Sequence, residues 1–145
     1  MKVLLQRVTE ASVTIASQRV AQIGPGLLVF LGVEPKDGSE QIRWMVDKVL
    51  GLRIFPDDIK PMNRSVVDVA GEVLVVSQFT LAADVGKGRR PGFSTAAEPG
   101  LAEQCYRQFV ARMRDVYPRL ATGEFGADMR VALVNDGPVT FLIER

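Results

Sequence analysis

Ser77-Gln78-Phe79-Thr80 brings together residue types that can take part in chemistry, directly after the apolar run at residues 73–76. It places two hydroxyls and one amide at the end of a predicted inner strand, which we extend over residues 73–80. Because a buried strand carries few polar side chains, two interpretations fit. The cluster either caps the following loop or forms a pocket floor whose hydroxyl, amide and backbone N–H groups bind a carbonyl oxygen as it becomes an oxyanion.

A second polar stretch, Asn-Asp-Gly-Pro-Val-Thr at residues 135–140, separates two apolar, β-rich segments. Asp136-Gly137 in such a position predicts a terminal β-hairpin. Pro138 is unexpected there, because it removes a ladder donor and restricts the residue before it. The local pattern favours a proline-stiffened hairpin over a ligand-facing wedge with a cis Gly137–Pro138 bond, since only about 5–6% of X-Pro bonds in folded proteins are cis.

The chain contains no histidine and a single cysteine, Cys105. This excludes Ser-His-Asp and Cys-His catalysis and removes the commonest zinc ligand, so chemistry must use hydroxyls, backbone N–H groups, carboxylates, lysine or a substrate group. We predict no metal and no cofactor; the adjacent Asp57 and Asp58 are a poor metal site, because two carboxylates in a proline-rich loop are more typical of a turn. Cys105 lies on an apolar helical stripe, which predicts a core thiol rather than a nucleophile.

Length and composition predict one domain spanning residues 1–145, with 47% hydrophobic and 24% charged residues. A net charge of +1 argues against a general polyanion binder. The N-terminus opens into an apolar strand without a charged leader, and no apolar stretch reaches membrane-spanning length. We therefore expect a cytoplasmic protein that does not contact a membrane.

The apolar patterns predict an α+β fold in which a mostly antiparallel, barrel-like sheet is covered by two main helices. Strands are predicted at residues 2–15, 18–23, 27–33, 52–55 and 73–80 and in the terminal hairpin. The helices are predicted from an Asp37/Glu40 capping box to Gly51, and from Pro99 to Tyr117. Arg7 lies within the first strand, where either carbonyls or a carboxylate satisfy its guanidinium or the side chain extends to the strand end; we favour the second, because arginine is seldom buried unless paired. The basic residues 86–92 are predicted to form a solvated loop rather than a phosphate-facing flap.

Six short motifs occur in order along almost the whole chain. They are Gln6-Arg7-Val8, residues 24–32, Ser77-Gln78-Phe79-Thr80-Leu81, Arg90-Pro91 before Phe93, Phe125 with Ala127-Asp128-Met129, and Asn135-Asp136-Gly137-Pro138-Val139-Thr140. Together they resemble the D-aminoacyl-tRNA deacylase family. Gly92 departs from the serine expected in that family's Arg-Pro-Ser-Phe pattern, which affects only the detail of the loop.

The resemblance implies an ester hydrolase that removes D-amino acids, and also glycine, from the 3′-terminal adenosine of tRNA. It further implies a homodimer with active sites at the subunit interface. Gly137–Pro138 would be cis and would reach into the partner's pocket, where it excludes L side chains. Arg7 would then hold the Gly-Pro carbonyls instead of extending to the strand end.

Site residues follow from the same resemblance. Thr80, Gln78, Ser77 and Phe79 are the catalytic candidates. Gly137, Pro138, Arg7, Met129 and Phe125 are the candidates for substrate binding and chiral selectivity. We favour a substrate-assisted route, in which the ribose hydroxyl next to the ester helps to activate water, over a Thr80 nucleophile that has no histidine base. A noncatalytic tRNA-end binder and an editor of L-alanyl-tRNA remain alternatives.

Overall fold

The computed structural model describes residues 1–86 and 88–145. The strands are β1 (Lys2–Ile15), β2 (Gln18–Ile23), β3 (Gly26–Gly32), β4 (Glu72–Ser77), β5 (Leu120–Thr122) and β6 (Arg130–Glu144). The helices are α1 (Ser39–Gly51) and α2 (Pro99–Val116), and a single 3₁₀ turn spans Phe79–Ala82. None of the described helices has the length and apolar character needed to cross a membrane.

β1 organises the sheet because it pairs with three other strands. It is antiparallel to β2, β3 and β6, and β3, β4 and β5 continue the sheet in parallel. β6 pairs with β1 from Lys2 to Thr14, whereas β3 and β2 divide the other edge of β1 between them. The result is a barrel-like mixed sheet with two helices, which confirms the α+β prediction.

The core fills both faces of β3 and β4. Leu27 and Val29 pack with the buried residues of the two helices, while Leu28 packs in a second apolar cluster formed by the strands. β4 alternates in the same way, so both strands are inner strands, as their continuous apolar runs predict. Gly26 allows them to pair closely, because a Cβ atom there would lie 1.9 Å from the carbonyl oxygen of Glu72.

The predicted terminal hairpin is wrong. Residues 130–144 form one strand, and both halves pair with β1 instead of with each other. The register passes from Gln6 opposite Thr140 to Val8 opposite Asn135, so four residues of β6 lie across from one residue of β1. The turn-forming residues 136–138 therefore lie in a bulge. The hairpin does not form, because β1 is long enough to pair with both apolar segments.

Three smaller expectations are also corrected. Residues 52–55 form no strand and contribute only an isolated bridge between Phe55 and Arg64. β4 ends at Ser77 instead of continuing through Thr80. The N-cap of α1 is Gly38, whose N–H donates to the Gln41 side chain at 3.1 Å.

Asp37 does not cap α1, because its carboxylate has other partners. It binds the α-ammonium group of Met1 at 2.7 Å and accepts a hydrogen bond from the Glu34 N–H at 2.7 Å. The charge of this buried carboxylate is thus paired and hydrogen-bonded, as burial requires.

Candidate active site

A cavity of about 480 Å³ opens where β4 ends. Five of the predicted site residues line it, namely Ser77, Gln78, Phe79, Phe125 and Met129. The remaining walls come from β4, β6, the start of α2 and the loop before β6. The contribution of α2 was missed because its apolar stripe was assigned only to the core. Ala97, which lies just before the predicted helix, is half-buried in the structure. Nothing in the sequence around it indicated that it would line a cavity.

The floor of the cavity is the turn that follows β4. The Gln78 N–H donates to the Leu31 carbonyl at 2.8 Å, and this bond holds the turn against β3. The Gln78 side-chain amide donates to the Thr80 hydroxyl at 2.6 Å. We had predicted that these two side chains lie on one face of a strand. Because the chain turns at Gln78, they lie on a turn instead.

Two backbone donors at this turn have no acceptor within the described part of the chain. They are the N–H groups of Phe79 and Thr80, which begin the 3₁₀ turn and so precede its internal hydrogen bonds. The oxyanion-binding hypothesis had assigned this role to backbone groups around Gln78 to Thr80. The Gln78 N–H is already bonded to Leu31, so the available donors are those of the two residues after it.

Gly32 allows the turn to approach β3. A Cβ atom at Gly32 would lie 2.9 Å from the Cβ atom of Leu81 and 3.1 Å from the carbonyl oxygen of Gln78. Both distances are shorter than ordinary van der Waals contacts, so a side chain at this position would displace the cavity floor.

An aromatic pair lies at the edge of the turn. The rings of Phe79 and Phe93 are 5.0 Å apart and tilted by 52°. Phe79 is 56% exposed and Phe93 44% exposed. The two rings therefore form one exposed apolar patch at the edge of the turn.

Tyr106 supports the opposite wall. Its hydroxyl donates to the carbonyls of Val75 at 3.2 Å and Gly123 at 3.4 Å, and its ring lies 5.7 Å from that of Phe125. Burial raises the pKa of Tyr106 to about 12. Gly123 also makes room for Met129, because a Cβ atom there would lie 2.6 Å from the methionine sulfur.

The Gly137–Pro138 bond is cis, which confirms the state implied by the resemblance rather than the one favoured by local statistics. Arg7 lies under this segment and is only 8% exposed, so it does not extend to the strand end. Its Nε donates to the Asp136 carbonyl at 3.0 Å and lies 3.1 Å from the Asp136 carboxylate. A second nitrogen donates to the Ile54 carbonyl at 2.6 Å.

The hydrogen bonds of Arg7 correct one detail of the resemblance. Within the described residues, the guanidinium binds the carbonyls of Asp136 and Ile54 instead of those of Gly137 and Pro138. It therefore anchors the bulge one residue before Gly137. The same contacts satisfy a nearly buried cation, which would otherwise be costly to remove from water.

The predicted site residues thus form two groups in one chain. The first surrounds the cavity, and Thr80 is joined to it through its hydrogen bond with Gln78. The second consists of Arg7, Gly137 and Pro138, which do not line that cavity. Gly137 and Pro138 are exposed and are not part of the cavity of their own chain.

Other candidate groups lie outside the site. Burial raises the pKa of Cys105, which is 2% exposed and packs in the helix-covered core. Among residues 1–86 and 88–145, no group of three or more potential metal ligands occurs. Arg89 and Arg90 of the predicted basic loop are exposed, which fits a solvated loop and a phosphate-facing flap alike. Lys87 of that loop lies outside the described residues.

Comparisons with known proteins agree over the full length. A family model described as D-Tyr-tRNA(Tyr) deacylase matches residues 4–144. The D-aminoacyl-tRNA deacylase of Teredinibacter turnerae is 53% identical over 144 residues, covering 99% of both chains. That of Pseudomonas aeruginosa is 54% identical over 144 residues, with the same coverage.

Solved structures show the same fold. A structure described as c-Myc DNA Unwinding Element Binding Protein has a TM-score of 0.95 and 41% sequence identity, covering 100% of this chain and 99% of its own. A probable eukaryotic D-amino acid tRNA deacylase is similar in fold alone, with a TM-score of 0.86 and 19% identity over 98% of this chain and 97% of its own.

The α+β fold, the cavity and these full-length matches define a member of a class of ester hydrolases. More specifically, the chain belongs to the D-Tyr-tRNA(Tyr) deacylase family.

Proposed function

We propose that this protein hydrolyses the ester bond of D-aminoacyl-tRNA and releases the free D-amino acid and tRNA. The observation that carries the proposal is the full-length match to relatives named D-aminoacyl-tRNA deacylase, at 53% identity over 99% of both chains. The cavity beside the Phe79 and Thr80 N–H groups supplies a place for the ester. A role on aminoacyl-tRNA corresponds to action in the cytoplasm, in translation quality control.

The proposed reaction uses a group of the substrate. The free 2′-hydroxyl of the terminal ribose helps to remove a proton from water, whose oxygen attacks the ester carbonyl. The Phe79 and Thr80 N–H groups donate to the developing oxyanion. The bond to the ribose oxygen then breaks, and that oxygen takes a proton as it leaves. The carboxylate of the free amino acid is the other product.

The surroundings of Thr80 favour this route over a threonine nucleophile. Its hydroxyl oxygen accepts a hydrogen bond from the Gln78 amide, which draws on the lone pairs that a nucleophile would need. The chain has no histidine that could take the hydroxyl proton. Thr80 thus has a positioning role beside the donors that stabilise the oxyanion.

We assign chiral selectivity to Gly137 and Pro138. These residues are exposed and separate from the cavity of their own chain, so a second copy must supply them if they are to meet the ester. In such a homodimer the Gly137–Pro138 segment occupies the space of an L side chain, while a D side chain points away from it. Glycine also fits, because it has no side chain, and this extends the substrates to glycyl-tRNA mischarged on tRNA(Ala).

Matched ester substrates test the function. D-tyrosyl-, L-tyrosyl-, L-alanyl- and glycyl-tRNA are incubated with the purified protein, and the remaining ester is measured over time. We expect the D-tyrosyl and glycyl esters to disappear and both L esters to persist. Hydrolysis of L-alanyl-tRNA would support an L-alanyl editor instead. No hydrolysis of any ester would leave a noncatalytic tRNA-end binder.

A further inference from the structure

Val139 is the first residue after the bulge in β6 and has an unusual hydrogen-bonding partner. It is 6% exposed and has no partner residue in the register between β1 and β6. Its N–H donates to the side-chain oxygen of Asn135 at 2.7 Å, and its carbonyl accepts from the side-chain nitrogen of Asn135 at 3.3 Å. A carboxamide carries the same donor and acceptor as a peptide group. The Asn135 side chain thus makes the two hydrogen bonds to Val139 that the backbone of a neighbouring strand would otherwise make.

The same carboxamide is tied to β1. Its nitrogen also donates to the Thr140 hydroxyl at 3.0 Å, and that oxygen accepts a second hydrogen bond from the Gln6 side chain at 3.2 Å. Asn135 and Thr140 face β1 at the two ends of the bulge, opposite Val8 and Gln6. The network therefore closes the base of the bulge and fixes its ends to each other and to the neighbouring strand.

We propose that Asn135 is a positioning residue that sets how far Gly137 and Pro138 project, and thereby sets the discrimination between D and L substrates. This inference rests on the proposed function, because it assigns a determinant of selectivity to the same site. Arg7 anchors the bulge at Asp136, whereas Asn135 closes it at its base. The two anchors act at different points, so loss of Asn135 leaves the segment attached but less confined.

Only an amide satisfies both groups of Val139. Aspartate at position 135 keeps an acceptor for the N–H but has no donor for the carbonyl, and it places a negative oxygen beside that carbonyl. Alanine leaves both backbone groups without this partner. A small shift of the projecting segment is enough to matter, because misplacement by about 1 Å can change an enzymatic rate by about 10²-fold.

The test compares Asn135→Ala and Asn135→Asp with the wild type, using kcat/KM for D-tyrosyl- and L-tyrosyl-tRNA. We expect the ratio of L to D hydrolysis to rise by about tenfold in Asn135→Ala, which removes all three hydrogen bonds of the carboxamide, and by less in Asn135→Asp. Thr140→Val removes the hydroxyl that accepts from both the Asn135 and the Gln6 side chains, but it leaves the two hydrogen bonds between Asn135 and Val139 in place, so it should give the smallest rise. Amide hydrogen exchange of Val139 should be faster in Asn135→Ala than in the wild type.

Ser65→Ala is the matched control. Ser65 is nearly buried, and its hydroxyl donates to the Asp68 carboxylate at 2.7 Å, in a loop that belongs to neither group of site residues. It should lower stability without changing the L to D ratio, so a selectivity change caused by general destabilisation would appear in this variant too.

Three results would contradict the inference and are distinguishable from one another. A selective wild type with an equally selective Asn135→Ala variant removes the role of Asn135 and leaves the proposed function intact. A wild type that hydrolyses both enantiomers alike, or neither, overturns the proposed function and this inference with it. Unchanged exchange of Val139 in Asn135→Ala would contradict the structural basis independently of any substrate.

Discussion

Tyr106 is a buried acid beside the cavity wall, and its ionisation links folding to alkaline pH. Its pKa is raised from 10.0 to about 12 by burial, so the unfolded chain loses this proton at a lower pH than the folded protein. The associated stability is complete below about pH 10 and is lost as the pH rises towards 12. Over that window the loss is about 2–3 kcal/mol.

Urea unfolding at pH 8 and pH 11.5 checks this prediction. Tyr106→Phe should lose less stability between the two pH values than the wild type, although it is less stable at pH 8 by about 1 kcal/mol because the hydrogen bonds to Val75 and Gly123 are gone. Burial also raises the pKa of Tyr117, so some alkaline loss should persist. Equal losses in both proteins would contradict the assignment to Tyr106.

Thr80 and the substrate hydroxyl can be separated at the level of single groups. Thr80→Ala should lower kcat by roughly tenfold or less, because it removes one hydrogen bond at the turn. Replacing the 2′-hydroxyl of the terminal adenosine by hydrogen should lower kcat by about 10²–10⁴-fold, as expected for loss of proton transfer. Single-turnover rates and a separate binding measurement distinguish chemistry from affinity. If a Thr80→Ala protein folds and binds substrate but shows no turnover, the result would support Thr80 as the nucleophile.

At the scale of elements, the cavity floor depends on the close approach of the 3₁₀ turn to β3. Gly32→Ala places a Cβ atom 2.9 Å from Leu81 and 3.1 Å from the Gln78 carbonyl. We expect it to move the turn, to lower kcat by at least tenfold and to reduce the free energy of unfolding by about 1–3 kcal/mol.

Gly51→Ala provides the control for Gly32→Ala. A Cβ atom at Gly51, in the last turn of α1, would meet no atom within 4 Å. Deacylation should be unchanged, and unfolding by urea should show equal or slightly higher stability, because alanine is a better helix former than glycine. Full activity in Gly32→Ala would show that the turn tolerates displacement.

Local sequence patterns predicted the elements better than their partners. The apolar runs of β3 and β4 and the stripes of α1 and α2 gave correct elements, because burial imposes periods that a single segment displays. The hairpin around Asp136-Gly137 was wrong because strand pairing is decided by a segment more than a hundred residues away. The same limit applied to Arg7, whose carbonyl partners on Asp136 and Ile54 are brought to it only by the fold.

At the scale of the whole molecule, the two groups of site residues do not meet within one chain. The motif resemblance predicted the candidate site residues and implied a partner subunit. The spacing of residues along the chain, however, predicted neither the cavity nor the bulge. One edge of β1 pairs with β3, and the Leu31 carbonyl of β3 holds the cavity floor through its hydrogen bond with Gln78. The other edge of β1 pairs with β6, whose bulge lies opposite Arg7.

Apolar residues on β6 provide the last prediction, which concerns assembly. Val134, Phe141 and Leu142 are 49%, 37% and 57% exposed on the strand that carries Gly137 and Pro138. Burial of one or more of these side chains in a homodimer would remove apolar surface from water and bring the Gly137–Pro138 segment to a partner. Leu142→Lys should weaken the dimer by placing a charge in this surface, and should lower deacylation in proportion to the dimer lost.

Light scattering coupled to size exclusion, across a range of protein concentrations, measures the dimer directly. Val116→Lys is the control, because Val116 is 54% exposed but lies at the end of α2 rather than on β6. It should leave both mass and activity unchanged. If Leu142→Lys becomes monomeric, activity should return at concentrations that restore the dimer, because each site then regains the Gly137–Pro138 segment of a second copy. A fully active, selective monomer would show that one chain is sufficient.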